Sequence, residues 1–180
     1  MLNIQSGQLL KWLQPNIFKM EYELRAGDEP VATLRFRSAF GTLATAESAD
    51  GCWTFKRVGC FQNRVTARTC DSETDLATFN NNTWKNGGTL ILVDGCEFPV
   101  TSNFWQTKWG LSHQSAEVNV LPAGEDLPEL PWMILLGWYL AVMMHTDAIA
   151  ASVTTMVAAM GQDGGRISLA PKRAARLAVP

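Results

Sequence analysis

Residues 128–151 read PELPWMILLGWYLAVMMHTDAIAA, and they decide the architecture of the chain. From Trp132 to Met144 there are thirteen residues with no charge and no strongly polar side chain. Trp132, Ile134, Leu135, Leu136, Trp138, Leu140, Val142 and Met143 cover every side of a helix, which leaves no stripe to turn toward water. Such a helix has to be surrounded, by lipid or by protein. A membrane span needs about 20 apolar residues, whereas a run of roughly 10–14 belongs to a buried core helix. His145 and Asp147 interrupt this run at the shorter length. The membrane alternative rests on AIAASVTTMVAAM, which continues without charge to residue 160, and on the basic flank of Arg166, Lys172, Arg173 and Arg176. Small and hydroxyl-bearing residues dominate that second half, so the buried placement is preferred. The helix is expected over about 131–150, or on to 160 if the second half joins it.

The residues before it supply the surround. Between about 19 and 121 the chain is a succession of short segments with period-two alternation, each ended by a turn signal. In MEYELR, Met20, Tyr22 and Leu24 face one side; after the AGDEP turn, VATLRFR puts Ala32, Leu34 and Phe36 inward and Arg35 and Arg37 outward. GTLATAES and CWTFKRV follow, joined by ADG at 49–51; RVTART and DLATFN are joined by CDSET; TLILV and CEFPV meet at Asp94-Gly95, which suits a two-residue hairpin turn. FWQTKWGLS and AEVNVLP complete the β region. The fold expected is mainly β: an antiparallel meander β-barrel of about 10–12 strands enclosing a C-terminal hydrophobic α-helix. Residues 1–18, with Leu9, Leu10, Trp12 and Leu13, are expected to cap one mouth of a barrel domain over 19–160, and 161–180 to form a flexible tail.

The composition agrees with one folded domain: 180 residues, 47% apolar and 18% charged. A formal charge of −2 gives no overall pull toward nucleic acid, although a local basic patch is compatible with it. The opening MLNIQSGQLLKWLQP lacks a basic segment followed by an unbroken apolar run, so cytoplasmic residence, with peripheral membrane contact, is expected. Cys52, Cys60, Cys70 and Cys96 form no CxxC pair and are expected as reduced thiols on or inside strands, with no structural zinc.

The meander followed by LPELPWMILLGWYLAVMMHTDAIAA, together with YELRAGDEPVATLRFR, CWTFKRVG and NFWQTKWGL, resembles the tubby-like superfamily, in particular its LURP-one-related and phospholipid scramblase-like branch. The likeness covers about residues 19–151. It implies a β-barrel around a C-terminal helix and, as an activity, phosphoinositide headgroup binding or lipid movement. The acidic calcium loop, the acylated cysteine cluster and the proline-rich N-terminus of scramblases have no counterpart here, which speaks against scramblase activity.

No enzyme constellation stands out. There is no GxSxG elbow and no Cys/His signature, and two residues of helix separate His145 from Asp147 by about 200°, too far round to converge on one ligand. His113 and His145 are expected as hydrogen-bonded or partly exposed residues at element ends. The NGG at 86–88 and the DGG at 163–165 lack the setting of a phosphate loop and are expected as turns. Trp53, Phe55, Phe61, Trp84, Phe104, Trp105 and Trp109 are expected to pack on the helix rather than to stack bases. No catalytic residue, metal ligand or cofactor is expected. One feature supports a binding hypothesis: Arg35, Arg37, Lys56, Arg64 and Arg68 alternate to outer strand faces, with Arg57 close by in sequence. If the hairpins pair in order, these residues form a cationic patch for phospholipid headgroups or other anions. The competing account is a solvated face whose arginines pair with Glu47, Asp71, Glu73 or Asp75. Three functions therefore compete: a non-catalytic lipid- or anion-binding barrel, a structural or protein-interaction barrel without a small ligand, and a single-pass membrane protein using 132–160.

Overall fold

A computed structural model describes residues 10–39, 41–59, 63–82, 87–101, 108–109, 114–118 and 127–163. The described elements are β1 (Leu10–Leu13), β2 (Glu21–Ala26), β3 (Glu29–Phe36), β4 (Ala44–Ser48), β5 (Gly51–Val58), β6 (Arg64–Thr69), β7 (Ala77–Asn82), β8 (Gly87–Leu92), β9 (Glu97–Thr101), β10 (Lys108–Trp109), β11 (Gln114–Val118) and α1 (Leu130–Asp163). The strands form one antiparallel sheet in the order β10-β11-β1-β2-β3-β4-β5-β6-β7-β8-β9. From β1 to β9 every strand pairs with its neighbour in sequence. The exception to chain order is β11, which returns to pair with β1, Leu10 opposite Val118.

The expected alternation is present. Tyr22, Leu24, Ala32, Leu34, Phe36, Ala44, Ala46, Trp53, Phe55, Val65, Ala67, Ala77, Phe79 and Leu90 are buried on the inner face. Their register explains how the helix fits. Ala44 lies between Phe36 and Phe55 in one row, and Ala46 between Leu34 and Trp53 in the next. Each large ring thus has a small neighbour, and the gap admits the bulk of the helix.

Residues 134–143 of α1 are buried without exception. Ten consecutive helical residues sweep the whole circumference, so protein lies on every side of this stretch; a helix resting on one sheet face would keep an exposed stripe. Trp138 stacks on Trp12 with ring centroids 5.4 Å apart and meets Tyr22 edge-on at 5.7 Å. Tyr139 stacks on Phe36 at 5.5 Å, and its hydroxyl donates to the Thr42 carbonyl at 2.6 Å. The chain divides into two compact units, Met1–Met143 and Met144–Pro180. In the second unit α1 changes character: Met144 and Ile149 are 40% and 50% exposed. By length and hydropathy Leu130–Ser152 is also a candidate membrane span, with 56% of its window buried within the protein.

Several expectations need correction. Leu10–Leu13 does not belong to a separate cap; it is a strand of the sheet, with Leu10 and Trp12 each 1% exposed. The Asp94-Gly95 hairpin has a three-residue loop: the Gly95 amide donates to the Leu92 carbonyl at 3.0 Å, and Leu92 donates to the Cys96 carbonyl at 2.9 Å. Gly95, at φ 88°, is the left-handed residue that closes such a loop. Gly87 and Gly88 are strand, not turn. A Cβ at Gly88 would collide with the Phe79 ring and the Asn80 carbonyl, which is why glycine stands there. The helix runs on to Asp163, while 164–165 and the rest of the expected tail lie outside the described residues.

The thiols are also corrected. Cys52 and Cys70 are joined in a disulfide, with Cα atoms 5.4 Å apart. Trp53 pairs with Thr69 across β5 and β6, so Cys52 and Cys70 are the next residues in register and fall on the same, outer side. Spacing along the sequence gives no hint of this; the pairing of strands does. Cys96 is free and exposed, and Cys60 lies outside the described residues.

Candidate anion-binding face

Hairpins pairing in order bring most of the expected cations onto one side of β3 to β6. Arg35, Thr45, Thr54 and Arg68 form a single row across four strands. With strands about 4.8 Å apart, Arg35 and Arg68 stand roughly 14 Å from one another. The next row toward the β3–β4 connection holds Lys56 opposite Thr66, and Thr66 opposite Thr78. Arg64 lies two residues from Thr66 on β6, diagonal to Lys56, a relation that sets the two residues about 7–8 Å apart. Arg37 follows the end of β3, and its amide donates to the Leu43 carbonyl at 2.9 Å. One more step along the β4–β5 ladder from the Ala44–Phe55 pair sets Leu43 between Arg37 and Lys56.

The charges on this face are not equivalent. Arg35 Nε donates to Glu21 Oε1 at 2.6 Å, from the residue opposite it on β2. Arg68 is held by Asp75 through Nε and by Glu73 through Nη1 at 3.2 Å. The Asp75 hydrogen bond and charge, with help from Glu73, push the Arg68 guanidinium above its ordinary pKa. The expected pairing of surface arginines with Glu73 and Asp75 therefore holds for Arg68. Arg37, Lys56 and Arg64 differ: all three are exposed, and none has an ion pair among the described residues.

Arg57 leaves the set. It stands opposite Val65, which is 3% exposed, so alternation turns it to the other side of β5 from Lys56, where it is half-buried. Two residues that sequence reasoning passed over enter instead. Asn80 is exposed and directly opposite Arg64, and the Thr66 hydroxyl residue lies between Lys56 and Thr78 at 7% exposure. Only the register could have found them, since nothing in the sequence around either marks it. An anion held at this face would meet two or three extended cationic side chains and an amide donor. It would be gripped by charge-assisted hydrogen bonds.

Other polar groups have local explanations. Asp94 Oδ1 accepts the Cys96 amide at 2.9 Å, which holds its carboxyl below the usual range, and the same carboxylate pushes the Cys96 thiol up. Partial burial pushes the His145 imidazole down. Burial pushes the Tyr22 phenol up to about 12. Among the described residues no group of three His, Cys, Asp or Glu is placed to hold a metal ion. Trp53 and Phe55 pack inward, as expected, while Phe61, Trp84, Phe104, Trp105 and His113 lie outside the described residues.

No family model, no curated protein and no solved structure matches this chain.

Proposed function

We propose that the protein is a non-catalytic barrel module of tubby-like type that holds anionic phospholipid headgroups on the outer face of β3 to β6. The observation that carries this is the contrast within one face. Arg35 and Arg68 are neutralised by carboxylates, whereas Arg37, Lys56 and Arg64 are exposed cations with no ion pair among the described residues. Evenly solvated surfaces intersperse both signs. Three exposed cations around the Thr66 row, without an ion pair among the described residues, suit a phosphate-bearing group. The Cys52–Cys70 disulfide favours an oxidising compartment over the cytoplasm, so the headgroups are those of a membrane surface facing such a compartment.

Vesicle flotation tests this. Phosphatidylcholine vesicles with roughly one part in three phosphatidylglycerol should recruit the protein in low salt and release it as salt rises, because exposed charges are screened within about 8–10 Å at 0.1–0.15 M. Each basic residue near an anionic surface contributes on the order of 1 kcal/mol, so Lys56→Glu with Arg64→Glu should remove most of the recruitment. Equal low-salt binding by a folded double variant would reject the proposal and leave a protein-interaction barrel in front.

A further inference from the structure

The two ends of the sheet are chemically opposite. In an antiparallel meander, alternate connections gather at alternate ends, so 27–28, 49–50, 70–76 and 93–96 share one end. Each of these turns is acidic: Asp28; Asp50; Asp71, Glu73 and Asp75; Asp94. The described connecting residues 14–20, 37–39, 41–43, 59 and 63 belong to the other end, and none of them is Asp or Glu.

Within the described residues this second end has a built apex. Between β1 and β2 the chain makes a pinned turn: the Phe18 amide donates to Asn16 Oδ1 at 2.9 Å, the Lys19 amide donates to the Asn16 carbonyl at 3.1 Å, and the Gln14 side-chain amide donates to the Lys19 carbonyl at 2.9 Å. Gln14 is itself 7% exposed, so the turn is fastened to the interior. What it presents is apolar: Ile17 is 55% and Phe18 92% exposed. Two adjacent apolar side chains therefore stand outside the core at this end, on a turn whose backbone is held by its own hydrogen bonds. The Phe36 amide donates to the Met20 carbonyl at 2.9 Å, which sets this turn beside Arg37, with Lys19 next to the ring in sequence. Arg64 opens β6 at the same end.

We infer that the protein meets a lipid bilayer end-on, with Ile17 and Phe18 entering the interfacial layer and Lys19, Arg37 and Arg64 lying at the depth of anionic headgroups. The inference rests on the proposed lipid binding and gives it a direction. Aromatic residues favour the interface, and basic residues beside them supply the second signal that stable peripheral attachment needs. The acidic turns at the far end would be repelled by an anionic leaflet, so only one orientation is favourable. A second copy of the chain is the weaker occupant, because two apolar side chains fall far short of the roughly 800 Å² per partner of a stable interface.

Flotation with the same phosphatidylglycerol-containing vesicles, now compared in low and high salt, separates the contributions. Phe18→Ser should reduce partitioning about tenfold at both salt concentrations, the effect of losing one buried phenyl ring. Lys56→Glu with Arg64→Glu should reduce it in low salt only. Val93→Ser, at the acidic end and equally free of packing at 76% exposure, should change nothing. Because Phe18 packs on little, its variant should keep the wild-type melting temperature, and Ile17→Ser gives a second folded test. Wild-type binding by Phe18→Ser and Ile17→Ser, an equal loss with Val93→Ser, or absence of any wild-type recruitment would overturn the inference. Loss with Phe18→Ser but not with the charge reversal would keep end-on insertion and remove the basic face; the opposite pattern would keep the face and remove the insertion.

Discussion

Truncating Leu135 to alanine tests whether the helix is held inside the sheet. Leu135 is 0% exposed in the stretch that is buried all round. Leu→Ala in a core typically costs about 2–5 kcal/mol, and the value depends on how far the surroundings relax into the space. Relaxation should be small here. The wall is a hydrogen-bonded sheet whose inner face already has alanine at 32, 44, 46, 67 and 77, so it has few long side chains to swing inward. The upper half of the range follows, a large part of the roughly 5–15 kcal/mol that holds a typical domain together. For a chain of this size each 1 kcal/mol moves Tm by about 2–4 °C, giving a fall of roughly 7–20 °C. Thermal unfolding followed by circular dichroism measures it. Ile149→Ala removes a similar side chain from the exposed part of the same helix, at 50% exposure, and should stay within about 0.5 kcal/mol of wild type. A Leu135→Ala protein that melts within a degree of wild type, or two variants that melt alike, would refute the enclosed helix.

Tyr139→Phe removes the hydroxyl that reaches the Thr42 carbonyl and should cost about 1 kcal/mol in urea unfolding, with no change in secondary structure. Cys70→Ser opens the link between residues 18 apart in sequence and should cost about 3 kcal/mol by the loop-entropy estimate; reduction of the wild type should produce the same loss, and the variant should no longer respond to reductant. The Cys96 thiol, pushed up by Asp94, should react slowly with iodoacetamide near pH 8, and Asp94→Asn should accelerate the reaction by lowering that pKa. His145 is pushed down by burial, so the unfolded chain binds its proton first as pH falls. Its contribution to stability should be complete above about pH 6.5 and decline below it, and His145→Gln should flatten that part of the stability–pH curve.

The sheet was legible in the sequence because alternation and turn chemistry are local. Tyr22, Leu24, Leu34 and Phe36 face inward as their spacing requires, and the all-round apolar run at 132–144 identifies the helix that they surround. β1 was not legible, since LKWL is four residues long and its partners include a strand more than a hundred residues away. The candidate face divides along the same line. Alternation placed Arg35, Arg37, Lys56, Arg64 and Arg68 outward, but which of them keeps its charge free depends on Glu21 lying opposite Arg35 and on Asp75 reaching back to Arg68. Arg57 was included by proximity along the chain and excluded by the pleat. The disulfide and the acid–base contrast between the two ends are products of register and of strand direction, and neither quantity is written in any single stretch of residues.

The return of β11 to β1 also fixes when the molecule can form. Leu10 waits for Val118, and the inner faces of the meander wait still longer for residues 134–143, which leave the ribosome after the described strands. During synthesis the strands can form hairpins, but their apolar faces have nothing to close upon. Closure is therefore deferred until residues 134–143 have been made, and until then the nascent strands keep exposed apolar faces and edges that invite aggregation. A stall or truncation between about residues 118 and 134 would release a chain with the described strands and no centre.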